Sequence, residues 1–570
     1  MKTRVSGKVF VRFEQWRSLL VQSLLLGALT ALIGRAFWLQ AIHSTFLQQK
    51  GEERYSRILP EPASRGIIRD RNGQPLAISI PSESVWANRE DLEMTVFQRD
   101  QLAALLKEDP RVMARRLRGD TGIVYLKRQL TPEIAQQIMN LKISGIFVQH
   151  GFHRAYPKSS EMAHLVGFTN ADDHGQEGVE LAYESLLQGV YGARRVIRDR
   201  AGHVIEDVEN IRAPRQGQDM ALSVDARIQH LAARELHAAI ATSHAKAGAV
   251  VVLDSQTGEI LALVNSPDYD PNQRVNLSGD ELRNRAITDT YEPGSTMKPF
   301  TIAAALEAGR IRPDTVIPTP GGVLAIGNHF IHDDHVAASY TVSEVIEHSS
   351  NVGAARIALE LPARTMWDMF TDVGFGQKPK SGFPGEAGGR LRPYQNWKPI
   401  EQATMAFGNG MTVSLLQIAR AYTVFPNRGL LRPLMLVKGT PPPGHQVMTD
   451  KTAREVTAML ETVVSPEGTA PQAAVPGYRV AGKTGTAHKV LRGHYVNKYV
   501  ASFIGFAPVS APRVVVAVMI DEPAGSRYYG GQVAAPVFSA LTGEIMQLLE
   551  VPPDAPNTVM GSDVSAEHHT

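Results

Sequence analysis

Three short stretches carry residues that could act on one substrate. The first runs Tyr291-Glu292-Pro293-Gly294-Ser295-Thr296-Met297-Lys298-Pro299-Phe300, with a serine and a lysine three residues apart. Residues 300–308, which follow, have the composition of a buried helix. A helix starting near Ser295 places the Ser295 hydroxyl and the Lys298 amine on one face. Burial lowers an amine's pKa and lets it take a proton from a neighbouring hydroxyl, the chemistry of a serine acyltransferase. Pro299 fits only the first turn, where backbone N–H groups lack intrahelical partners. Alone the tetrapeptide is a weak signal. Ser243-His244-Ala245-Lys246 repeats it at a polar junction expected to be a loop.

Two further stretches strengthen it. Ser349-Ser350-Asn351 is the only Ser-x-Asn in the chain and follows a helical pattern over residues 342–347, as expected of a loop presenting a hydroxyl and an amide. Lys483-Thr484-Gly485-Thr486 begins a late strand; its lysine and hydroxyls suit a carboxylate, and its glycine admits a substrate backbone. A decoy, Lys380-Ser381-Gly382, lies in a Pro/Gly-rich loop. Residues 328–335 hold His329, His332, Asp333, Asp334 and His335, but a strand points His329 and His332 to opposite faces. The segment reads as a polar hairpin edge, and neither metal nor cofactor is expected.

These residues need a scaffold. At 570 residues with 43% hydrophobic and 20% charged content, the chain is globular and long enough for two or three domains. A net charge of +2 predicts no nucleic-acid partner. The absence of cysteine excludes disulfides and thiolate chemistry. Lys2, Arg4, Lys8, Arg12 and Arg17 precede an uncharged run over residues 18–34, with apolar character resuming past Arg35 to Ile42. That run exceeds a signal-peptide core of roughly 7–15 residues, and no good small-x-small cleavage site follows. As a helix, residues 18–42 would reach about 37 Å against a hydrocarbon core of about 30 Å, with Arg35 snorkelling at the far side. The basic flank places residues 1–17 in the cytoplasm.

The Asn72-Gly73 turn signal predicts a hairpin, and residues 90–145 are read as helix-rich, at 100–107, 111–118 and 132–140. A strand at 163–168, a helix at 178–187 and a hairpin over 194–205 follow. With no nucleophile–base pair, residues 43–220 form a spacer or docking module. Residues 221–552 read as strands, then helices, then strands, closed by a helix near 535–549. That order predicts one antiparallel sheet with helices on its faces. Residues 553–570 are polar and Pro-rich, a composition of disorder.

Taken together, Ser295-x-x-Lys298, Ser349-x-Asn351 and Lys483-Thr484-Gly485 occur in the order found in penicillin-binding proteins and class A β-lactamases. The chain resembles the class B penicillin-binding proteins, specifically the division-specific penicillin-binding protein 3 type of Gram-negative bacteria. The likeness extends to Arg65-Gly66-x-Ile68-x-Asp70-Arg71-Asn72-Gly73, Gly167-Phe168-Thr169-Asn170, Glu177-Gly178-Val179-Glu180, Tyr529-Gly530-Gly531 and Ala535-Pro536-Val537-Phe538. It implies an α+β fold: one transmembrane helix, an elongated mixed α/β pedestal, and a transpeptidase domain with a central antiparallel sheet. It also implies an inner-membrane enzyme with its catalytic domain in the periplasm, cross-linking peptidoglycan stem peptides and acylated by β-lactams. Ser295 would be the nucleophile and unprotonated Lys298 its base, with Ser349, Asn351 and Lys483 relaying the proton and orienting the donor. Backbone N–H groups of Ser295 and Thr486 would form the oxyanion hole, and Thr484, Gly485 and Thr486 would bind the terminal carboxylate region. A membrane glycan polymerase and other division proteins would be partners.

A β-lactamase needs a deacylating Glu-x-x-Leu-Asn between the second and third motifs, and none is present. A β-lactam sensor would show several membrane spans; a silent scaffold would not keep every motif residue; a bifunctional enzyme would carry an acidic polymerase motif in its N-terminal half. Three positions depart from the resemblance: His348 and His488, where relatives usually carry a permanent cation, and Asn409, where Tyr is common. Residues 484, 486 and 488 share a strand face, so His488 lies about 7 Å beyond Thr486. With reference pKa values of about 6.5, the two histidines suggest tuning to mildly acidic surroundings.

Overall fold

The computed structural model describes residues 15–42, 56–119, 122–198 and 204–555. Lys2, Arg4, Lys8 and Arg12, residues 199–203 within the expected hairpin and the tail beyond residue 555 lie outside the described residues. The first helix, Gln15–Phe37, continues through a π-turn at Trp38–Ile42, and the span Gln15–Ala41 is long and apolar enough to cross a membrane. Arg35 stacks its guanidinium 4.4 Å from the Trp38 ring, a pair suited to the interfacial end of such a helix.

The chain forms two compact units: Met1–Ala63, Ser82–Gly151 and Val190–Arg215 in one, and Ser64–Pro81, Phe152–Gly189 and Gln216–Thr570 in the other. Segments expected on the pedestal side, residues 64–81 and 152–189, thus share a unit with all three motif stretches.

In the smaller unit, Gly192–Arg198 is the middle strand between Ser56–Glu61 and Val204–Arg212, both antiparallel to it, so the hairpin expected over 194–205 forms. Helices Val96–Leu106, Pro110–Arg116 and Pro132–Asn140 begin where their caps dictate. Thr95 closes a capping box with Gln98, Asp109 accepts from Arg111 N, and Pro110 and Pro132 occupy first turns. These are the three helices expected in 90–145; the stretch between the second and third, left unassigned by the sequence, is a strand, Ile123–Leu130, antiparallel to residues 83–88. It buries Leu126 and Leu130 with Val85, Leu102, Leu106 and Ile138. Arg128 among its inward positions, with Ile123 and Tyr125 outward, interrupts its alternation and hid it.

The larger unit is built on a five-stranded antiparallel sheet, ordered Ile260–Ser266, Ala247–Asp254, Val514–Asp521, His494–Ala507, Ala481–Leu491. Every residue from Val514 to Asp521 is buried, so both faces of that central strand are covered. Helices Ala226–Ser243 and Ala535–Leu548 pack on each other and on the sheet, and Leu415–Tyr422 packs on the same central strands. The Asp70–Gly73 turn holds the start of the first of these. Asp70 accepts from Asn72, Gln74 and Ala226 backbone N–H groups, and Asn72 Nδ2 donates to the Asp225 cap.

Two local expectations are overturned. Residues 163–168 are not a strand: Ser159–Val166 is a helix ended by Gly167 at φ 77°. A short apolar run without flanking signals does not distinguish the two, and here a Cβ on Gly167 would lie 1.8 Å from Glu177 O, so the chain turns instead. The helix at 178–187 breaks at Tyr183 into Gly178–Ala182 and Glu184–Leu187.

The break aims two carboxylates at one place. Arg65 Nε meets Glu180 Oε2 at 2.5 Å and Arg65 Nη2 meets Glu184 Oε2 at 2.5 Å, while Arg154 Nε meets Glu180 Oε1 at 2.7 Å. Glu180 and both arginines are buried. Removing Glu180 leaves two guanidinium groups without their shared carboxylate, so Glu180→Ala is expected to cost roughly 3–5 kcal/mol. Arg364→Ala, on an exposed ion pair, is expected to cost under about 1 kcal/mol. Denaturant unfolding of the two variants checks both values.

Candidate active site

Gly294, at φ 59°, opens a 3₁₀ turn, Gly294–Met297, that hands over directly to helix Lys298–Glu307 with Pro299 in its first turn. Three hydrogen bonds fix the hand-over. Thr296 Oγ1 donates to Pro293 O at 2.8 Å, Tyr422 OH to Thr296 O at 2.8 Å, and Thr301 Oγ1 to Ala406 O at 2.9 Å. Ser295 is half-buried at the surface of this turn, while Lys298 is fully buried.

The Lys298 amine reaches the second motif. It contacts the Ser349 carbonyl, Ser349 Oγ at 3.1 Å and Asn351 Oδ1 at 2.8 Å. Burial pushes its pKa down to about 7, against the opposing pull of Asp333 and Asp334. A neutral amine has two N–H donors and one lone pair. The two carbonyl oxygens take the donors, and the Ser349 hydroxyl can give its proton to the lone pair.

Ser349 follows helix Val342–Glu347, which Thr341 and Glu344 open with a capping box, and it stands at φ 59°. A non-glycine residue there carries a cost of roughly 1–3 kcal/mol, which the surroundings must offset. Asp333 supplies the fastening: its carboxylate accepts from Ser350 Oγ at 2.6 Å, Asn351 N at 2.5 Å and Val352 N at 2.9 Å. Asn351 Nδ2 adds a bond to His332 O at 3.0 Å. The expected hairpin forms between Val323–Ile326 and His329–His332. Reading its end as a polar edge missed Asp333, whose partners Ser350 and Asn351 lie 17 and 18 residues further on.

Lys483 lies on the edge strand Ala481–Leu491, fully buried, its amine 3.3 Å from Thr484 Oγ1. Burial and then the Lys298 charge hold it well below an ordinary lysine. Thr484 is buried with its hydroxyl 3.3 Å from Thr469 Oγ1, and Thr486 Oγ1 accepts from Gly530 N at 3.0 Å. The glycine between them also makes room within the protein. A Cβ on Gly485 would meet Pro293 O at 2.7 Å and Ser502 Oγ at 2.6 Å, so it admits the serine turn itself. On the turn's other side, a Cβ on Gly408 would lie 2.3 Å from Gly294 O. The structure therefore brings Ser295, Lys298, Ser349, Asn351 and the 483–486 strand into one cluster. The decoys are engaged elsewhere: Ser243 ends helix Ala226–Ser243, not a loop, and donates to Ala239 O, while Ser381 binds Glu386.

Residues 248–543 match the family model described as the penicillin binding protein transpeptidase domain, and residues 60–222 match the penicillin-binding protein dimerisation domain. The chain is 43% identical over 534 residues to the probable peptidoglycan D,D-transpeptidase PenA of Neisseria gonorrhoeae, covering 92% of each. It is 40% identical over 564 residues to the peptidoglycan D,D-transpeptidase FtsI of Escherichia coli K12, covering 96% of this chain and 94% of that one. The chain belongs to the class B penicillin-binding proteins. Among solved structures, the transpeptidase domain of Burkholderia pseudomallei penicillin-binding protein 3 superposes with TM-score 0.55 at 50% identity, over 59% of this chain and 98% of that one.

In this class B penicillin-binding protein the three departing residues separate. His348 ends helix Val342–Glu347, its ring 5.4 Å from that of Tyr340. His488 and Asn409 line one cavity of about 410 Å³ beside Thr486, where the His488 ring stands 4.5 Å from that of Tyr499. Asp333 has the clearest mutational signature. Asp333→Ala is expected to slow acylation by a penicillin at least tenfold, because the 349–351 loop loses the carboxylate that fixes it. Stopped-flow acylation of parent and variant, with Asp334→Ala as the control lacking those bonds, reads the difference.

Proposed function

We propose that this protein is a peptidoglycan D,D-transpeptidase of septal wall synthesis, working through an acyl-enzyme on Ser295. The observation that carries it is the buried Lys298 amine, held between the Ser295 helix and the Ser349–Asn351 loop at a pKa of about 7. In that role Lys298 takes the Ser295 proton as Oγ attacks the carbonyl between the two terminal D-alanines. Ser349, Asn351 and Lys483 carry the proton towards the leaving amine. Thr484, Gly485 and Thr486 receive the terminal carboxylate, and the Ser295 and Thr486 N–H groups face the developing oxyanion. An amine of a second stem peptide resolves the ester, and β-lactams acylate the same serine. Residues 221–552 form the catalytic domain and residues 43–220 the pedestal. The N-terminal helix anchors the chain in the inner membrane, N-terminus in the cytoplasm and catalytic domain in the periplasm. A membrane glycan polymerase and other division proteins are its partners, by analogy with the family.

Mass spectrometry after penicillin treatment tests the nucleophile: a stable adduct is expected on Ser295 and none in Ser295→Ala. Rapid loss of the adduct would favour a β-lactamase.

The pH dependence follows from Lys298. Only its neutral form accepts a proton, so acylation is expected to climb with pH up to about 7 and level off above, falling nearly tenfold per unit on the acid side. Acid tuning by His348 and His488 would act in the opposite sense, raising acylation as pH falls. Acylation rates from pH 5 to 8.5 separate the two. A flat parent profile removes Lys298 as the base, and identical profiles for the parent and a His348→Lys, His488→Lys double variant remove the tuning.

A further inference from the structure

The smaller unit holds a cavity of about 930 Å³ that contains none of the residues proposed for acylation. Glu83 and Trp86, from the strand Pro75–Asn88, stand in its wall with Phe147 and His150 from Ile146–Ala155. Three residues apart, Glu83 and Trp86 would point to opposite faces of a regular strand. Register shifts between Glu83 and Val85 and between Val85 and Trp86 bring both to the cavity. Glu83 is only 7% exposed. Its Oε1 lies 2.5 Å from His150 Nδ1, and its Oε2 is buried without a hydrogen-bond partner. A carboxylate oxygen withdrawn from water in this way is costly until a donor or a cation reaches it.

The surroundings say which cation. The Trp86 ring stacks on Phe147 with centroids 4.5 Å apart, which fixes the indole as an apolar wall. Such a wall suits the aliphatic stem of an amine and attracts its charge. With Oε1 occupied by His150, one oxygen is free. A guanidinium pairs best with both oxygens of a carboxylate, whereas an ammonium is a point charge that needs one. Arg194 lines the same cavity, and its two bonds to Asp207 both come from Nη1, leaving other N–H groups for an anion. An ammonium site and a carboxylate site therefore share one cavity. Its volume, near the top of the roughly 300–1,000 Å³ range of ligand pockets, admits a short peptide.

We propose that this cavity binds an un-cross-linked peptidoglycan stem peptide, its side-chain ammonium on Glu83 against Trp86 and a carboxylate on Arg194. The assignment rests on the transpeptidase function proposed above, which makes such peptides the substrate. A stem peptide carries both charges on one short chain, whereas a basic protein segment supplies only the cation. Cross-linking turns the amine into an uncharged amide. The cavity thus separates peptides still able to accept a cross-link from those already used. Binding here forms and breaks no covalent bond.

The test uses the full chain in detergent and fluorescence polarisation of a dye-labelled stem tripeptide, L-alanyl-γ-D-glutamyl-L-lysine, with the dye on its N-terminus. Saturable binding is expected, at least tenfold weaker for the Nε-acetylated tripeptide and at least threefold weaker for the arginine form. Glu83→Gln is expected to weaken the lysine tripeptide at least tenfold, and Arg194→Ala at least threefold. His150→Ala removes an exposed ring and frees Oε1 while keeping the carboxylate. It is expected to bring the arginine form level with the lysine form, an outcome that a merely structural role for Glu83 would not produce. Equal binding of the lysine and Nε-acetyl tripeptides, no saturation up to about 5 mM, or no loss in Glu83→Gln overturns the site. A blocked L-pentapeptide with one central lysine that binds as tightly as the tripeptide overturns the stem-peptide assignment. Binding needs no acylation, so a parent that binds the tripeptide but forms no penicillin adduct on Ser295 overturns the transpeptidase function alone.

Discussion

A fully buried lysine amine is the constraint around which the larger unit is arranged. Leaving Lys298 charged with no exposed surface would cost several kcal/mol, so its neighbours must tolerate a neutral amine near neutral pH. Two carbonyl oxygens and one hydroxyl do so, matching a neutral amine's two donors and one lone pair. That match requires Ser349 to turn its carbonyl and hydroxyl the same way, hence its left-handed backbone. Asp333 then holds the loop through three bonds. A second buried amine, Lys483, is held well below an ordinary lysine, by burial first and by Lys298 second.

Steric closeness does the rest. The serine turn is wedged between the edge strand and the 408 loop, with glycine at each contact, so backbone meets backbone with no side chain between. Position there is set by van der Waals contact with a sheet whose central strand is buried on both faces. Such an arrangement has little room to relax, which suits groups that must stay aligned through a reaction.

Much of this was legible in order and spacing. Helix Val342–Glu347, the antiparallel pair Ala247–Asp254 and Ile260–Ser266, and the closing helix Ala535–Leu548 fall where periodicity and turn residues put them. The strand Ile123–Leu130 was obscured because Arg128 stands among its inward positions while Ile123 and Tyr125 lie on its exposed face, which breaks the alternation. Residues 163–168 misled because a short apolar run fits strand and buried helix equally. Asp333 went unread as a fastener because its partners, Ser350 and Asn351, lie on a different element, and one-dimensional spacing carries no sign of that pairing.

The sequence by itself determined which residues have the chemistry: a serine and a lysine at helical spacing, a second hydroxyl with an amide, and a lysine with hydroxyls on a strand. Side-chain chemistry is local, and short spacings survive as geometry within one helix or strand. Tertiary structure decided the rest: that Lys298 loses all solvent and so sits near pKa 7, and that Gly485 makes room for the Ser295 turn. Burial and long-range contact are properties of the packed chain, because they depend on which distant segments exclude water from a group.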